Sequence, residues 1–333
     1  ASGAAATVLL QGLGGADQLI GGTGNDLIYF DSLDTLVQGG AGLDIALVVG
    51  AAGATLDLAA ANVEFAYGSV GNDAFDAGDT TSTVLLYGDA GADQLIGGSG
   101  SDIIHFDNQD TVVQGGAGVD FAVVDFQETG GVSLDLVASS VDFAYGGVGD
   151  DAFDASGATT TVQLFGLGGA DQLIGGAGND VLWVDSLDTL VEGGAGVDTA
   201  AVYFTETAGV SLDMTAAGIE VVQGGAGADT FTAAGGAENT RIDGQGGADT
   251  LTGGSVNDVI FGGEGDDHIF ASAGNDYLQG DGGTDTVNYA GNQADFTVTD
   301  IGGGFYFVTG AGIGTHTLFQ VDVLHFNDGD LLL

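Results

Sequence analysis

Aspartate recurs every nine residues along much of the chain, and this period constrains the fold more than any other feature. The register is unbroken through Asp249, Asp258, Asp267, Asp276 and Asp285. The repeating unit is Gly-Gly-x-Gly-x-Asp-x-U-x, where U is apolar, as in residues 262–270. Glycine permits the positive φ of a tight turn, and the apolar residues after each Asp suit a short strand. A short strand and a tight turn, repeated, predict a coiled parallel sheet.

The nonapeptides are grouped in a longer repeat. The segment Gly14-Gly-Ala-Asp-Gln-Leu-Ile-Gly-Gly returns with small changes from Ala90 and from Gly168, and a weaker copy begins at Gly246. Each copy also contains an aspartate-poor stretch of about 20 residues with a Leu-Asp-Leu or Leu-Asp-Met core. We therefore predict three modules, a regular repeat region and a C-terminal segment, with bounds 1–87, 88–165, 166–243, 244–290 and 291–333.

One departure from the register occurs at the same place in each of the first three copies. Thr35, Thr111 and Thr189 stand where Asp is expected, and each follows an Asp that comes one residue early. A departure reproduced three times belongs to the module.

Stacked aspartates predict a metal. Two nine-residue units complete a coil of 18 residues, so that Asp residues 18 apart lie on one edge, about 4.8 Å apart. Two bare carboxylates at that distance repel by about 3 kcal/mol at an effective dielectric constant near 20, and a divalent cation reverses the sign. Oxygen ligands without thiols favour Ca²⁺ over Zn²⁺ or Cu²⁺. The predicted ligands are Asp17, Asp26, Asp44, Asp73, Asp93, Asp102, Asp120, Asp151, Asp171, Asp180, Asp198, Asp229, Asp249, Asp258, Asp267, Asp276 and Asp285.

Composition excludes several classes of function. The chain has 48 acidic residues, one Arg, no Lys and no Cys, and its formal charge is −47. Nucleic-acid binding and attachment to an anionic membrane need cationic side chains, and no segment is apolar over enough length to span a bilayer. The four His residues lack the H-E-x-x-H spacing, and no Ser forms a G-x-S-x-G elbow. The sequence therefore predicts no catalytic residues and no enzyme.

The nonapeptide resembles the calcium-binding repeat of RTX (repeats-in-toxin) proteins. The resemblance implies an all-β fold, a parallel β-roll or right-handed β-solenoid, closed by a C-terminal antiparallel β cap. It also implies that each Ca²⁺ lies between turns two units apart and takes an Asp side chain and turn carbonyls from both. By that rule the best pairs are Asp26 with Asp44, Asp102 with Asp120, Asp180 with Asp198, Asp249 with Asp267, Asp258 with Asp276, and Asp267 with Asp285. By the same rule Asp17, Asp93 and Asp171 face Thr35, Thr111 and Thr189, so the resemblance does not extend to full sites there.

The C-terminal segment differs from the rest of the chain. Phe296-Thr-Val-Thr and Phe305-Tyr-Phe-Val flank three glycines and predict a β-hairpin. The chain ends Asp330-Leu-Leu-Leu, which resembles the signal of type I secretion substrates, and no N-terminal export signal precedes it. The type I secretion machinery is therefore an expected partner.

These features favour a secreted calcium-binding structural protein. We expect it to fold on extracellular Ca²⁺ and to self-assemble as a homo-oligomer into a surface layer, filament or matrix at the bacterial cell surface. The main alternative is the calcium-dependent folding and secretion tail of a larger RTX enzyme or adhesin. An enzyme contained within these residues is the least favoured hypothesis.

Overall fold

The chain folds as a parallel β-solenoid. The computed structural model describes residues 6–310 and 312–333, has about 5% helix and winds through about 16 turns, with antiparallel strands at its C-terminal end. The predicted all-β fold class is confirmed. By its internal contacts the chain divides into two compact units. The first reaches to Ala155 and includes Gln163–Gln172, and the second comprises Ser156–Val162 and Leu173–Leu333.

The first unit has two walls of short strands, which the chain visits alternately. In the first wall the odd-numbered strands from β1 to β17 pair in parallel, each with the next. In the second wall β2 pairs with β4, β6 to β12 form one sheet, and β14 pairs with β16. The strands are β1 (Leu9–Gln11), β2 (Gln18–Gly22), β3 (Leu27–Phe30), β4 (Leu36–Gly40), β5 (Ile45–Val48), β6 (Thr55–Asp57), β7 (Phe65–Ser69), β8 (Ala74–Asp76), β9 (Leu85–Asp89), β10 (Gln94–Ile96), β11 (Ile103–Phe106), β12 (Val112–Gln114), β13 (Phe121–Val124), β14 (Ser133–Asp135), β15 (Phe143–Tyr145), β16 (Ala152–Asp154) and β17 (Gln163–Phe165).

The second unit repeats this arrangement. Its first wall runs from β19 through the odd-numbered strands to β29, and its second wall runs from β22 through the even-numbered strands to β30. The next strands are β18 (Gln172–Ile174), β19 (Val181–Val184), β20 (Leu190–Glu192), β21 (Thr199–Val202), β22 (Ser211–Asp213), β23 (Val221–Gln223), β24 (Thr230–Thr232), β25 (Arg241–Asp243), β26 (Thr250–Thr252), β27 (Val259–Glu264), β28 (His268–Phe270), β29 (Tyr277–Gly282) and β30 (Thr286–Asn288).

The register explains why nine-residue units pack. Ile28 lies beside Ala46 and Leu251 beside Ile269, each pair 18 residues apart, as two units per coil predict. The middle residue of most three-residue strands is buried, as Leu251 and Ile269 are, and four-residue strands bury a second side chain, as β3 buries Ile28 and Phe30. The core is therefore one or two side chains per strand from each wall, and each coil depends on its neighbours for burial.

The aspartate-poor stretches form longer coils. Across them Ala46 pairs with Ala66 and Ala122 with Ala144, 20 and 22 residues apart. The extra residues make one-turn helices, which the sequence analysis did not predict. They are α1 (Leu58–Ala61), α2 (Leu136–Ser139) and α3 (Met214–Ala217).

Each of these helices is capped by the Asp of its Leu-Asp core. In α1 the Asp57 carboxylate accepts a hydrogen bond from the Ala60 N–H at 2.9 Å, and Asn62 ends the turn with φ of 47°. The side-chain cap and the left-handed residue satisfy backbone groups at both ends of the turn.

No helix among residues 6–310 and 312–333 is long and apolar enough to cross a membrane.

The C-terminal segment closes the solenoid. The predicted hairpin is confirmed, since β31 and β32 are antiparallel. Next, β33 pairs in parallel with β29 and β34 with β30, so the segment also supplies a final coil, on which β35 lies antiparallel. A 3₁₀ turn, Gln293–Asp295, leads into the segment, whose strands are β31 (Phe296–Gly302), β32 (Phe305–Gly310), β33 (Thr315–Phe319), β34 (Val323–Phe326) and β35 (Gly329–Leu332).

A fully buried histidine joins this cap to the repeat. His316 Nε2 lies 3.2 Å from Asp276 Oδ2, and Nδ1 lies 3.2 Å from the Tyr289 hydroxyl. Burial lowers the pKa of His316 to about 4, so the imidazole is neutral at physiological pH. The neutral imidazole therefore packs beside Asp276 without adding charge.

Replacing this histidine is expected to loosen the cap. His316→Ala removes a buried ring and its contacts with Asp276 and Tyr289, and should lower the free energy of unfolding by about 2–4 kcal/mol. His325→Ala is the matched control, since His325 is 54% exposed and pairs only with the exposed Asp330. Chemical denaturation in millimolar Ca²⁺ measures both. Equal stability of the two variants would contradict the proposed role of His316.

Candidate metal centre

The predicted aspartates occupy the two edges of the solenoid. The first edge is formed by the turns that precede first-wall strands, and the second edge by the turns that precede second-wall strands. Of the 17 predicted residues, all except Asp17 are at most 2% exposed. Asp17 is half-buried. Buried carboxylates at this density require donors or cations.

Along each edge, one carboxylate oxygen links neighbouring coils. Oδ1 of Asp267 accepts a hydrogen bond from the backbone N–H of Asp249 at 2.8 Å, and Oδ1 of Asp285 accepts one from the N–H of Asp267 at 3.0 Å. All six predicted pairs are joined by this bond. The other four are Asp26 with Asp44, Asp102 with Asp120, Asp180 with Asp198, and Asp258 with Asp276.

The second carboxylate oxygen divides the aspartates into two groups. In the paired group, Oδ2 accepts a hydrogen bond from the backbone N–H four residues earlier, as Asp258 does from Gly254 at 2.7 Å. This group comprises Asp26, Asp73, Asp102, Asp151, Asp180, Asp229 and Asp258.

In the unpaired group, Oδ2 is buried and has no hydrogen-bond partner among the described residues. The residue four positions earlier has positive φ in each case, for example 110° at Gly263 before Asp267 and 69° at Gln245 before Asp249. That conformation distinguishes these turns from those of the paired group. This group comprises Asp44, Asp93, Asp120, Asp198, Asp249, Asp267 and Asp285.

Burial opposes ionisation of the unpaired group. It raises the pKa of Asp93 and of Asp249 to about 7, and those of Asp120 and Asp285 to about 6. Neighbouring carboxylates add to the rise, as Asp267 does at Asp249. Burial also raises the pKa of the remaining members, Asp44, Asp198 and Asp267. At neutral pH these groups are therefore ionised only at a cost unless a cation joins them.

Glycine turns bring a backbone carbonyl close to Oδ2 in both groups of aspartates. A Cβ placed on Gly262 would lie 2.3 Å from Asp267 Oδ2 and 2.7 Å from the carbonyl oxygen of Gly280 in the next coil. The same arrangement recurs at Gly244 and at Gly280. Only glycine leaves the space in which this carboxylate and this carbonyl approach each other, and both are oxygen donors of the kind that Ca²⁺ prefers.

Side chains alone do not complete such a site. Within the described ranges, no three His, Asp or Glu side chains converge as a metal cluster. Ca²⁺ takes six to eight oxygens and readily uses backbone carbonyls. Residues that would hold the ion are therefore the unpaired aspartates together with glycine-turn carbonyls.

Filling this space with a methyl group is expected to destabilise the fold. Gly262→Ala forces its Cβ against Asp267 Oδ2, and should cost about 1–3 kcal/mol and raise the Ca²⁺ concentration needed for folding. Gly168→Ala is the control, because its nearest neighbour lies 4.0 Å away. Calcium titrations of both variants, followed by circular dichroism, measure the difference. Identical midpoints would contradict a role for this glycine turn in calcium binding.

The stacked aspartates along the two edges form a carboxylate ladder. Asp34 and Asp110, which come one residue early in the first two modules, also belong to it, although the sequence did not predict them as ligands. The Asp34 carboxylate accepts from the Asp17 N–H at 3.0 Å, and the Asp110 carboxylate accepts from the Asp93 N–H at 2.9 Å. The Thr35 hydroxyl donates to the carbonyl oxygen of Asp17 at 3.0 Å. The shift of the Asp by one residue is visible in the sequence, but the nine-residue register by itself predicts only the loss of a ligand there.

Three further acids continue the first edge across the aspartate-poor coils. Glu64 accepts from the Asp44 N–H, Asp142 from the Asp120 N–H and Glu220 from the Asp198 N–H, each at 2.9 Å. At the cap, Asp322 accepts from the Asp285 N–H at 2.9 Å. An acid recurring immediately before a strand in each module is the signal that could have found the first three.

Three further polar side chains lie outside the rows of buried carboxylates. His268 is exposed on its strand, and Arg241 is half-exposed, 3.6 Å from Asp243. His105 stacks on Tyr87 on the outward face of the first wall, with ring centroids 3.8 Å apart.

Fold and site define a class. The molecule is a parallel β-solenoid whose edges carry buried carboxylates at a coil repeat of 18 residues. The family model of the RTX calcium-binding nonapeptide repeat (4 copies) matches residues 9–37, 85–113, 163–188, 215–239, 232–260, 252–287 and 261–295. The chain belongs to the RTX calcium-binding nonapeptide-repeat family. Comparison with curated proteins found no match.

Proposed function

We propose that this chain is a secreted structural protein whose fold is completed by extracellular Ca²⁺. The observation that carries the proposal is the set of seven buried carboxylate oxygens that have no donor within the part of the chain that the structure describes. Each lies on an edge where a neighbouring coil presents another carboxylate, so that the negative charges reinforce one another. A bound divalent cation supplies the positive charge that the polypeptide, with a single Arg, does not.

Calcium concentration would then control when the chain folds. Extracellular modules of this kind load at about 10⁻⁴–10⁻³ M Ca²⁺, far above the cytosolic concentration. Before export the carboxylates repel and the chain stays unfolded, as passage through a type I secretion channel requires. After export the sites fill and the coils stack. The free energy of Ca²⁺ binding thereby contributes directly to the free energy of folding.

Self-assembly is the second part of the proposal. Its support is the presence of exposed apolar side chains at repeated positions. Leu43, Val119 and Val197 occupy the same place in the first three modules and are 52%, 46% and 53% exposed. A chain of charge −47 repels its copies, so contact between molecules also depends on cations. The expected product is a Ca²⁺-dependent layer, filament or matrix at the bacterial cell surface.

Electron microscopy of the purified chain tests this part. We expect ordered sheets or filaments in millimolar Ca²⁺, and none in EDTA or in Mg²⁺ at equal ionic strength. Monomers that persist in Ca²⁺ while fully folded would contradict self-assembly. That outcome would favour the alternative, a folding and secretion tail whose active domain lies elsewhere in a larger protein.

A further inference from the structure

A cleft on the second unit has the composition of a ligand site and borders the glycine turns before Asp229 and Asp249. It has a volume of about 360 Å³. Trp183 and Phe204 form its apolar side, and Gln223, Gln245 and Glu264 supply polar groups. Binding clefts for small molecules commonly combine apolar rings with a few polar side chains at about 300–1,000 Å³.

One residue of the cleft is costly for the fold alone. Phe204 is 84% exposed, although a phenylalanine side chain gains most from burial. The left-handed φ of Gln245, 69°, recurs in the turns of the unpaired group and therefore belongs to those turns. An exposed aromatic ring that meets polar side chains in one cleft supports a binding role.

The chemistry of the lining selects the ligand. No Lys or Arg lines the cleft, and the chain as a whole is strongly acidic, so carboxylated, sulfated and phosphorylated ligands are repelled. Aromatic rings stack on the apolar C–H face of a sugar ring. Glutamine side chains donate and accept hydrogen bonds, as hydroxyl groups require.

We propose that this cleft binds a neutral saccharide, with the sugar ring against Trp183 and Phe204 and its hydroxyl groups on Gln223, Gln245 and Glu264. The proposal does not depend on self-assembly. It requires only a folded chain.

Trp183 is the only tryptophan, so its fluorescence reports directly on the cleft. In millimolar Ca²⁺, titration with maltotriose, cellotriose and chitotriose should change the emission saturably with at least one sugar, with a dissociation constant in the millimolar range. Phe204→Ala should weaken this binding about tenfold or more. Circular dichroism confirms that each variant is folded.

The chain provides a matched control. Phe126 is 91% exposed, at the place in the second module that Phe204 occupies in the third, and it does not line this cleft. Phe126→Ala should leave binding unchanged. No saturable response to any of the three sugars, an equal loss in both variants, or tighter binding of choline or of a glucuronate trisaccharide would overturn the proposal.

Discussion

Asp267→Asn is expected to change folding in opposite directions with and without calcium. Oδ2 of Asp267 is buried without a donor, and burial raises the pKa of this carboxyl. The amide removes a calcium ligand, so the Ca²⁺ concentration at the folding midpoint at neutral pH should rise about tenfold or more, equivalent to about 1.4 kcal/mol. It also removes a buried charge, so the metal-free chain should stay folded to a higher pH.

Asp258→Asn is the matched variant from the paired group. Oδ2 of Asp258 accepts the Gly254 N–H at 2.7 Å, and Oδ1 accepts the N–H and the hydroxyl of Thr240, each at 2.9 Å. Loss of a charge-assisted hydrogen bond costs about 1.5–3 kcal/mol. This variant should therefore be less stable with calcium and without it, and its metal-free form should unfold at a lower pH than wild type.

Circular dichroism at a series of Ca²⁺ concentrations and, in EDTA, at a series of pH values measures both variants. The difference in sign between them in EDTA is the decisive readout. If Asp267→Asn lowered the pH at which the metal-free chain unfolds, as Asp258→Asn should, the unpaired oxygens would not be the destabilising charges of the metal-free fold.

Acid is expected to replace calcium in folding this chain. Burial raises the pKa values of Asp93 and Asp249 to about 7 and of Asp120 and Asp285 to about 6, whereas an Asp in the unfolded chain titrates near 3.9. The folded state therefore binds protons more tightly than the unfolded state. Its stability is fully present below about pH 4 and is lost as the pH rises through 6 to 7.

Two histidines set the lower limit of this window. Burial lowers the pKa values of His105 and His316 to about 4, so their contribution to stability is present above about pH 6.5 and is lost as the pH falls through 4. The seven unpaired carboxyls outnumber these two groups. Metal-free stability should thus be greatest near pH 5.

A pH series in EDTA from about pH 8 to pH 4, followed by far-ultraviolet circular dichroism, checks this expectation. We expect a disordered spectrum at pH 8 and a β spectrum near pH 5. A chain that remains disordered at every pH in EDTA would contradict the role assigned to the buried carboxyls. Protonation also lowers the net charge of −47, which acts in the same direction.

The strands and the positions of the buried carboxylates followed from the sequence because they share one period. An Asp every nine residues, with two units per coil, places Asp249 beside Asp267 whatever the other residues are. Six spacing-based pairs are in contact for this reason.

The division of the aspartates into the paired and unpaired groups could not be predicted from the sequence. It depends on the backbone conformation four residues before each Asp, and glycine occurs at that position in both groups. Gly22 lies four residues before the paired Asp26, and Gly40 lies four residues before the unpaired Asp44. Of these two glycines only Gly40 has positive φ. The helices were missed because a single turn such as Leu58–Ala61 is too short for a helical period to show. Glu64 was missed because the nine-residue register does not extend into the longer coils.

The most direct test of whether calcium binds the carboxylate ladder is a Ca²⁺ titration at neutral pH and moderate salt. It starts from the chain in EDTA and is followed by far-ultraviolet circular dichroism. We predict a disordered chain in EDTA that becomes β-structured in one cooperative transition as Ca²⁺ reaches the submillimolar to millimolar range, about 10⁻⁴–10⁻³ M. A β spectrum that persists in EDTA under these conditions would contradict the claim that calcium completes the fold.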